Sequence, residues 1–423
     1  MTTATRAEPT RSARVAQTRA RILAAAQTLF VERGYRATSL RDIAAEAEIS
    51  HPGLLKHFSS KDALLAAVVS SFEAENEAVL ASTLPSGSST DLPFRMVAER
   101  NQRVPGYLEL FAALSGEACA HGHPAHAPMA ARYARLRAQS SAAMAEYIAA
   151  GAVAAGRDPL GESVRMAAAW DGLQVISLYL PERVRVPDAL ARHEQRLREP
   201  AGRRPAPRAT ASAPAPLPDV RTALVAGRDE DAGGYRVGRE RRARILEDAM
   251  ALFARDGYTD TSLREIAAAV GVSKSTLLHH YPSKEELLAA VLVERDARIA
   301  DTVPVTAVTA AGLLRELPSG AAANAAVAPG LIEVYAVLTC EAIPADHPAH
   351  DYFRQRYERT IDEFAGVFRA AQLDGALAAD RDPEFEAIWL VALWDGLQYQ
   401  WLYDSDAVDV AEHLTAHLAD ILP

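Results

Sequence analysis

Apolar positions step by threes and fours along almost the whole chain, and no stretch alternates with the period of two that a half-buried strand requires. The pattern predicts an all-α protein. Ile22, Ala26, Leu29 and Phe30 make one helical face that stops at Gly34, a residue suited to a left-handed C-cap. Ile245, Ala249, Leu252 and Phe253, stopped by Gly257, repeat it. Two short helices are expected next, over 39–47 and 50–58, then a long one over about 61–82, and the second series restarts at Ser262, Ser273 and Lys284. Beyond Pro85 the spacing is that of longer amphipathic helices with breaks at Pro105, Pro124 and Pro159, whose counterparts are Pro329, Pro348 and Pro383.

The recurrence is a duplication. Residues 19–68 align with 242–291 without a gap at an offset of 223, and 28 of the 50 pairs are identical. At an offset of 224 the run His-Pro-Ala-His at 123–126 recurs at 347–350, and Trp-Asp-Gly-Leu-Gln at 170–174 recurs at 394–398. A chain of 423 residues exceeds one ordinary core, so two tandem modules are expected. Between them, residues 200–218 hold six prolines among Ala, Arg, Ser and Thr, the composition of a linker. The expected layout is a head at 15–75, a helical domain at 76–198, a linker at 199–236, a second head at 238–298 and a second helical domain at 299–423.

Charge and cysteine content narrow the function. With 45 basic against 55 acidic residues the net charge is −10, so any nucleic-acid contact must be local. Residues 14–62 carry eight Arg or Lys against five acids, and 239–285 eight against seven. Cys119 and Cys340 do not repeat at the offset, so no disulfide framework follows. The first fifteen residues lack the apolar core of a signal peptide and no run of eighteen apolar residues occurs. A soluble, cytoplasmic protein is expected.

The run from Ser39 to Phe58 has the pattern of a helix-turn-helix. Leu40, Ile43 and Ala44 pack inward, and Ser50 is a good N-cap for the following helix. In the second copy Gly271 occupies the turn, where positive φ is usually needed; the first copy has Glu48 there, at a cost of roughly 1 kcal/mol if that residue is left-handed. Pro52 is tolerable in the first helical turn.

On Phe30, Gly34, Tyr35, Thr38, Ser39, Ile43, Ala44, Ser50, Leu54, His57, Phe58, Lys61, Leu64 and Leu65, and on the same series in the second copy, the sequence resembles the TetR family of bacterial transcriptional regulators. The resemblance implies a three-helix DNA-binding head and a helical ligand-sensing and dimerising domain in each half. Carried over by position, it implies that Ser50, His51, Pro52, Gly53, Lys56 and His57 face bases and backbone, with Arg41 and Lys61 on phosphates. In the second copy it implies Ser273, Lys274, Ser275, Thr276, His279 and His280, with Arg264 and Lys284. The implied partners are a double-stranded DNA operator and a small-molecule effector, with no cofactor and no membrane. The last two helices of each half, about 159–180 with 187–198 and 383–403 with 407–421, would form a four-helix bundle within one chain. A tether of some 35 residues has an r.m.s. span of roughly 30–35 Å and holds the partner half at about millimolar effective concentration. The expectation is a single-chain pseudo-dimer acting as a ligand-released repressor on an asymmetric operator. The alternative is a helical interaction scaffold in which one or both heads no longer bind DNA.

The remaining motifs read more modestly. The His-x-x-His pairs at 123–126 and 347–350 contain a proline that argues against a continuous helix, so helix-start and packing roles outweigh a metal site, with Glu117 and Glu341 as hydrogen-bond partners. Trp170 and Trp394, with Leu173 and Leu397, read as core or interface, and Phe111, Tyr133, Tyr335 and Tyr357 as core before pocket. No nucleophile and base, glycine-rich loop or repeated carboxylate dyad recurs, so an enzyme is not expected.

Overall fold

The computed structural model describes residues 10–33, 38–61, 63–68, 70, 71, 74, 92–104, 106–123, 125–202, 217, 236–302 and 307–422. These form helices joined by turns, with no strand among them. The proline-rich stretch expected to be a linker lies almost wholly outside the described residues, and Gly34 and residues 75–91 lie outside them entirely.

Each half begins with a long helix, Arg11–Arg33 or Arg236–Asp260, followed by two short ones, Leu40–Glu46 with His51–Leu55 and Leu263–Val270 with Lys274–His280. The second long helix is broken at Gly257, where φ is +76°, in agreement with the stop read from the sequence. Ile22, Ala26, Leu29 and Phe30 are buried, and so are Ile245, Ala249, Leu252 and Phe253, against Ile43 and Leu54 or Ile266 and Leu277. Downstream, the first half continues through Phe94–Arg103, Tyr107–Glu117, His126–Ala149, Pro159–Tyr179 and Val186–Leu197. The second continues through Lys284–Thr302, Ala310–Val327, Pro329–Glu341, His350–Leu373, Pro383–Tyr403 and Val410–Ile421. Asp158 and Asp382, one residue before the paired prolines, cap the Pro159–Tyr179 and Pro383–Tyr403 helices by accepting backbone N–H bonds.

The Pro159–Tyr179 and Pro383–Tyr403 helices cross in backbone contact. A Cβ added at Gly172 would lie 2.0 Å from the Ala392 carbonyl oxygen, and one added at Gly396 would lie 1.8 Å from that of Ala168. The two glycines are the same position of Trp-Asp-Gly-Leu-Gln, and the two alanines are equivalent at the offset of 224. Nothing larger than hydrogen fits. The same relation governs the flanks: Tyr179 Oη donates to the Thr339 carbonyl at 2.6 Å, and Tyr403 Oη donates to that of Ser115 at 2.6 Å. The expectation for Trp170 and Trp394 divides here. Gly and Leu of the motif make the crossing, with Leu173 and Leu397 fully buried, whereas Trp394, Asp395 and Gln398 line a cavity.

Each half also buries a tyrosine–aspartate pair. Tyr133 Oη donates to Asp171 at 2.9 Å and its counterpart Tyr357 to Asp395 at 2.8 Å. Burial pushes the Asp171 carboxyl up to about 6, against the opposing pull of Arg132 and the Tyr133 hydrogen bond.

Two predictions come from this packing. Gly172→Val or Gly396→Val forces a side chain into a carbonyl oxygen and is expected to destabilise the chain by about 3 kcal/mol or more, read as a fall in urea midpoint. Asp171 binds its proton more tightly folded than unfolded, so stability falls as pH rises from about 4 to about 6 and stays lowered above. Asp171→Asn, which still accepts from Tyr133, is expected to stabilise at pH 7 by about 2 kcal/mol, with the gain gone by pH 4 in parallel thermal melts.

Candidate nucleic-acid interface

The second short helix of each head is fixed from beneath by one leucine. Leu54 and Leu277 are fully buried, and the helix between cap and aromatic stop has no other way to face the core. Ser50 Oγ accepts from the Gly53 amide at 3.1 Å and Ser273 Oγ from the Thr276 amide at 3.1 Å, so both serines serve as the N-caps read from the sequence. The preceding helix starts with a reciprocal cap in both copies: Ser39 with Asp42, and Ser262 with Glu265.

The turn between the two short helices behaves as its residues require. Gly271 has φ +75°, and Glu48 at the same position has φ +54°, the one left-handed non-glycine among the described residues. The second short helix of the first head is also shorter than its counterpart, five residues against seven, because Pro52 and Gly53 replace Ser275 and Thr276 and its end tightens into bonds from Lys56 to Gly53 and from His57 to Leu54.

The outward faces are open. In the first head Arg41, Ser50, Pro52 and Lys56 are exposed, and His51, Gly53, His57 and Lys61 half-buried. In the second, Arg264, Ser273, Lys274, Ser275 and His279 are exposed, and Thr276, His280 and Lys284 half-buried. Burial, with the neighbouring His279, holds His280 below the usual imidazole range. Lys284 is more engaged than expected of a phosphate contact. Its ammonium donates to the Thr259 carbonyl at 3.2 Å and sits 4.1 Å over the Tyr258 ring, and burial lowers its pKa.

One contact was not foreseen from the sequence, although its residues belong to the run that carries the family resemblance, which opens on Arg-x-x-Ile-Leu at 19–23. Arg19 lies 4.2 Å over the Phe58 ring and donates to the His57 carbonyl, while Arg242 lies 4.9 Å over Tyr281 and donates to its hydroxyl. These arginines pin the C-terminal end of the second short helix to the first helix of each head. The signal was present: an arginine and an aromatic residue recurring together at the offset of 223.

The second head is tied to its helical domain by Glu341. The carboxylate accepts from the amides of Tyr258 and Thr259, each at 2.6 Å, immediately beyond the break at Gly257. Glu341 was expected to bond the nearby histidines. The first half keeps a looser form of that pair, with His123 Nε2 3.8 Å from Glu117, and in both halves the His347 and His123 rings accept the amides two residues on, of Ala349 and Ala125, and the His350 and His126 rings bond the carbonyls of Ala342 and Ala118. The histidines thus do helix-start work, and Glu341 is free for the head. Among the described residues no group of His, Cys, Asp and Glu is placed to hold a metal ion. No single described helix is long and apolar enough to cross a membrane.

Comparison with known proteins agrees with this geometry. The chain matches the bacterial regulatory proteins of the tetR family twice, over 22–68 and 245–291, and the C-terminal domain of BetI-type transcriptional repressors over 328–423. It therefore carries two tandem TetR-like units. It is 40% identical over 62 residues, 15% of this chain and 33% of the relative, to the HTH-type transcriptional repressor AcnR of Corynebacterium efficiens. It is 29% identical over 176 residues, 36% of this chain and 79% of the relative, to the HTH-type transcriptional repressor KstR2 of Rhodococcus jostii. The chain thus spans about a third of the first of these relatives. A TetR-family transcriptional regulator of Agrobacterium tumefaciens is similar over 44% of this chain and all of its own, at 21% identity and a TM-score of 0.40.

Glu48 supplies the prediction for this site. Glu48→Gly relieves the left-handed strain at φ +54° and is expected to stabilise the first head by about 1 kcal/mol, measured as slower amide exchange over the buried residues of 22–68.

Proposed function

We propose that the chain is a sequence-specific DNA-binding transcriptional regulator, a ligand-released repressor that acts as a single-chain pseudo-dimer on an asymmetric operator. The observation that carries this reading is the pair of capped helices, each held by one buried leucine and presenting exposed polar side chains. A narrow helix with donors at its N-terminus is what a major groove admits. The proposed layout is that of two heads and two helical domains joined by a linker, with the boundaries read from the sequence.

The proposed reading residues differ between heads. His51, Pro52, Gly53 and Lys56 stand where Lys274, Ser275, Thr276 and His279 stand in the second copy. Lys274 suits guanine O6 and N7, while Gly53 allows close approach and little readout. Arg41 and Arg264, exposed at the starts of the preceding helices, and Lys61 suit phosphate contact. Lys284 takes that role only by leaving Thr259. Two unlike half-sites on one duplex follow, and the internal crossing at Gly172 and Gly396 supports one chain per operator.

Release by a ligand has physical support in the second half. A cavity of about 60 Å³ is lined by Arg295, Ile299, Tyr335, Arg356, Phe364 and Trp394, among others. That is room for only a few water molecules, so a larger effector must spread the helices around it. Two of those helices run from the cavity to the head. Pro329–Glu341 carries Tyr335 at its middle and Glu341 at its C-terminal end; Lys284–Thr302 carries Arg295 and Lys284. A shift of either helix pulls directly on Tyr258 and Thr259. An effector that favours the shifted state lowers operator affinity by its differential affinity for the two states.

DNA selected from random duplexes is expected to contain two different half-sites. Affinity for the selected duplex is expected to fall steeply between 50 and 200 mM salt, in proportion to the phosphates contacted. Lys274→Ala is expected to weaken binding by about tenfold and relax the sequence at one half-site only. Affinity indifferent to salt, with no sequence enriched, would favour the interaction-scaffold reading.

A further inference from the structure

We propose that the two halves recognise one another by charge, with a cationic face on the first half and an anionic face on the second, so that a first half accepts a second half and rejects its own kind. The inference rests on the pseudo-dimer reading above and adds the rule that selects the partner. Every ion pair between halves in the described residues has its arginine in the first half and its carboxylate in the second. Arg137 pairs with Asp404, and Arg196 with Glu386. Arg157 reaches Asp420 at 3.2 Å, Arg192 reaches Asp382 at 2.9 Å, and Arg183 reaches both Asp362 at 2.6 Å and Glu384 at 2.9 Å.

The duplication shows what like-with-like pairing would meet. At the offset of 224, Asp362 and Glu384 correspond to Ala138 and Leu160, and Asp404 corresponds to Leu180. Two first halves would therefore set Arg183 against Ala138 and Leu160, and Arg137 against Leu180, while the exposed Arg192 would still meet an acid, Asp158, which corresponds to Asp382. Position 196 corresponds to Asp420, so the same pairing would bring Arg196 to Glu162, where Arg157 and Arg165 already bind at 2.7 and 3.1 Å. Three guanidiniums would share one buried carboxylate. Two second halves fail with the opposite sign: Asp420 would join Glu386 beside Arg381, and Asp362 and Glu384 would face Ala407. Buried ion pairs add little net stability against well-packed apolar groups, but an unpaired buried charge is strongly unfavourable, so this arrangement acts mainly by excluding the wrong partner.

Shape reinforces charge at one point. Gly116 and Cys340 are equivalent positions and touch across the interface: a Cβ at 116 would lie 2.2 Å from the Cys340 Cβ. Two second halves in this arrangement would superimpose one cysteine side chain on another. Glycine opposite cysteine fits.

The test uses the full chain with a specific protease site inserted within 203–216, cut after folding and examined by native mass spectrometry, where the unequal halves give distinct masses. Heterodimers are expected to remain the dominant dimer after re-equilibration through mild denaturant, with each homodimer below about a tenth of the population. Homodimers near the statistical share, or halves that separate without re-pairing, overturn the proposal. Arg183→Glu alone, and Asp362→Lys with Glu384→Lys, are each expected to weaken the cut heterodimer by about tenfold, and all three substitutions together to restore it. These side chains are at least a quarter exposed, so the variants keep their fold; failure of the combined variant to recover overturns the charge rule. If uncut chains scatter light as a dimer of about 91 kDa at nanomolar concentration, twice the 45.5 kDa chain, yet release only heterodimers on cutting, the single-chain reading fails while the charge rule stands.

Discussion

The contact between two glycines and two carbonyl oxygens organises the rest of the molecule. Gly172 against Ala392 and Gly396 against Ala168 bring the Pro159–Tyr179 and Pro383–Tyr403 helices together at backbone distance, where Leu173, Leu397 and their neighbours bury completely. Close approach has directional consequences. Tyr179 and Tyr403 reach carbonyls at the far side of the interface, and the arginines of one half reach carboxylates of the other, only because the two helices lie so near. Wider spacing would strand those polar groups within a low-dielectric interior, where an unmet hydroxyl or guanidinium is costly.

Much of this was legible in the sequence because it appears twice. Duplicate spacing fixed the all-α class, the short helix pair, the serine caps and the stop at Gly257, and the glycine missing from the first turn marked Glu48 before its φ of +54° was known. The four bundle helices fall within a few residues of their expected spans. Contacts that cross between non-equivalent positions were not legible. Periodicity says that Trp394 is part of a buried motif, but only packing decides that its ring lines a cavity while Leu397, three residues on, fills the crossing. Glu341 lay near the histidines in sequence, yet the chain bends the head back so that Tyr258 and Thr259 present their amides to it first. The outward-facing character of the proposed reading residues was foreseeable from the helical repeat; the engagement of Lys284 with Thr259 and Tyr258 was not, because the partners lie about 25 residues away.

Fusion of two copies changes what selection of side chains the interface allows. In a symmetric dimer each substitution enters twice, and a surface must complement itself. An arginine at one position then demands an acid at another position of the same sequence. In this chain the demand is met across the duplication: Arg183 has no acid to meet at Ala138 or Leu160, and finds Asp362 and Glu384 in the other half. The same release from self-complementarity applies to the heads. Pro52 and Gly53 need not match Ser275 and Thr276, so the second short helix of the first head can shorten without harming its counterpart. An interface of fixed unlike halves and a pair of unlike reading helices are therefore two results of one covalent link, and each makes the other useful. Unlike heads are of value only if every assembly contains one of each, which is the condition that the charged bundle imposes.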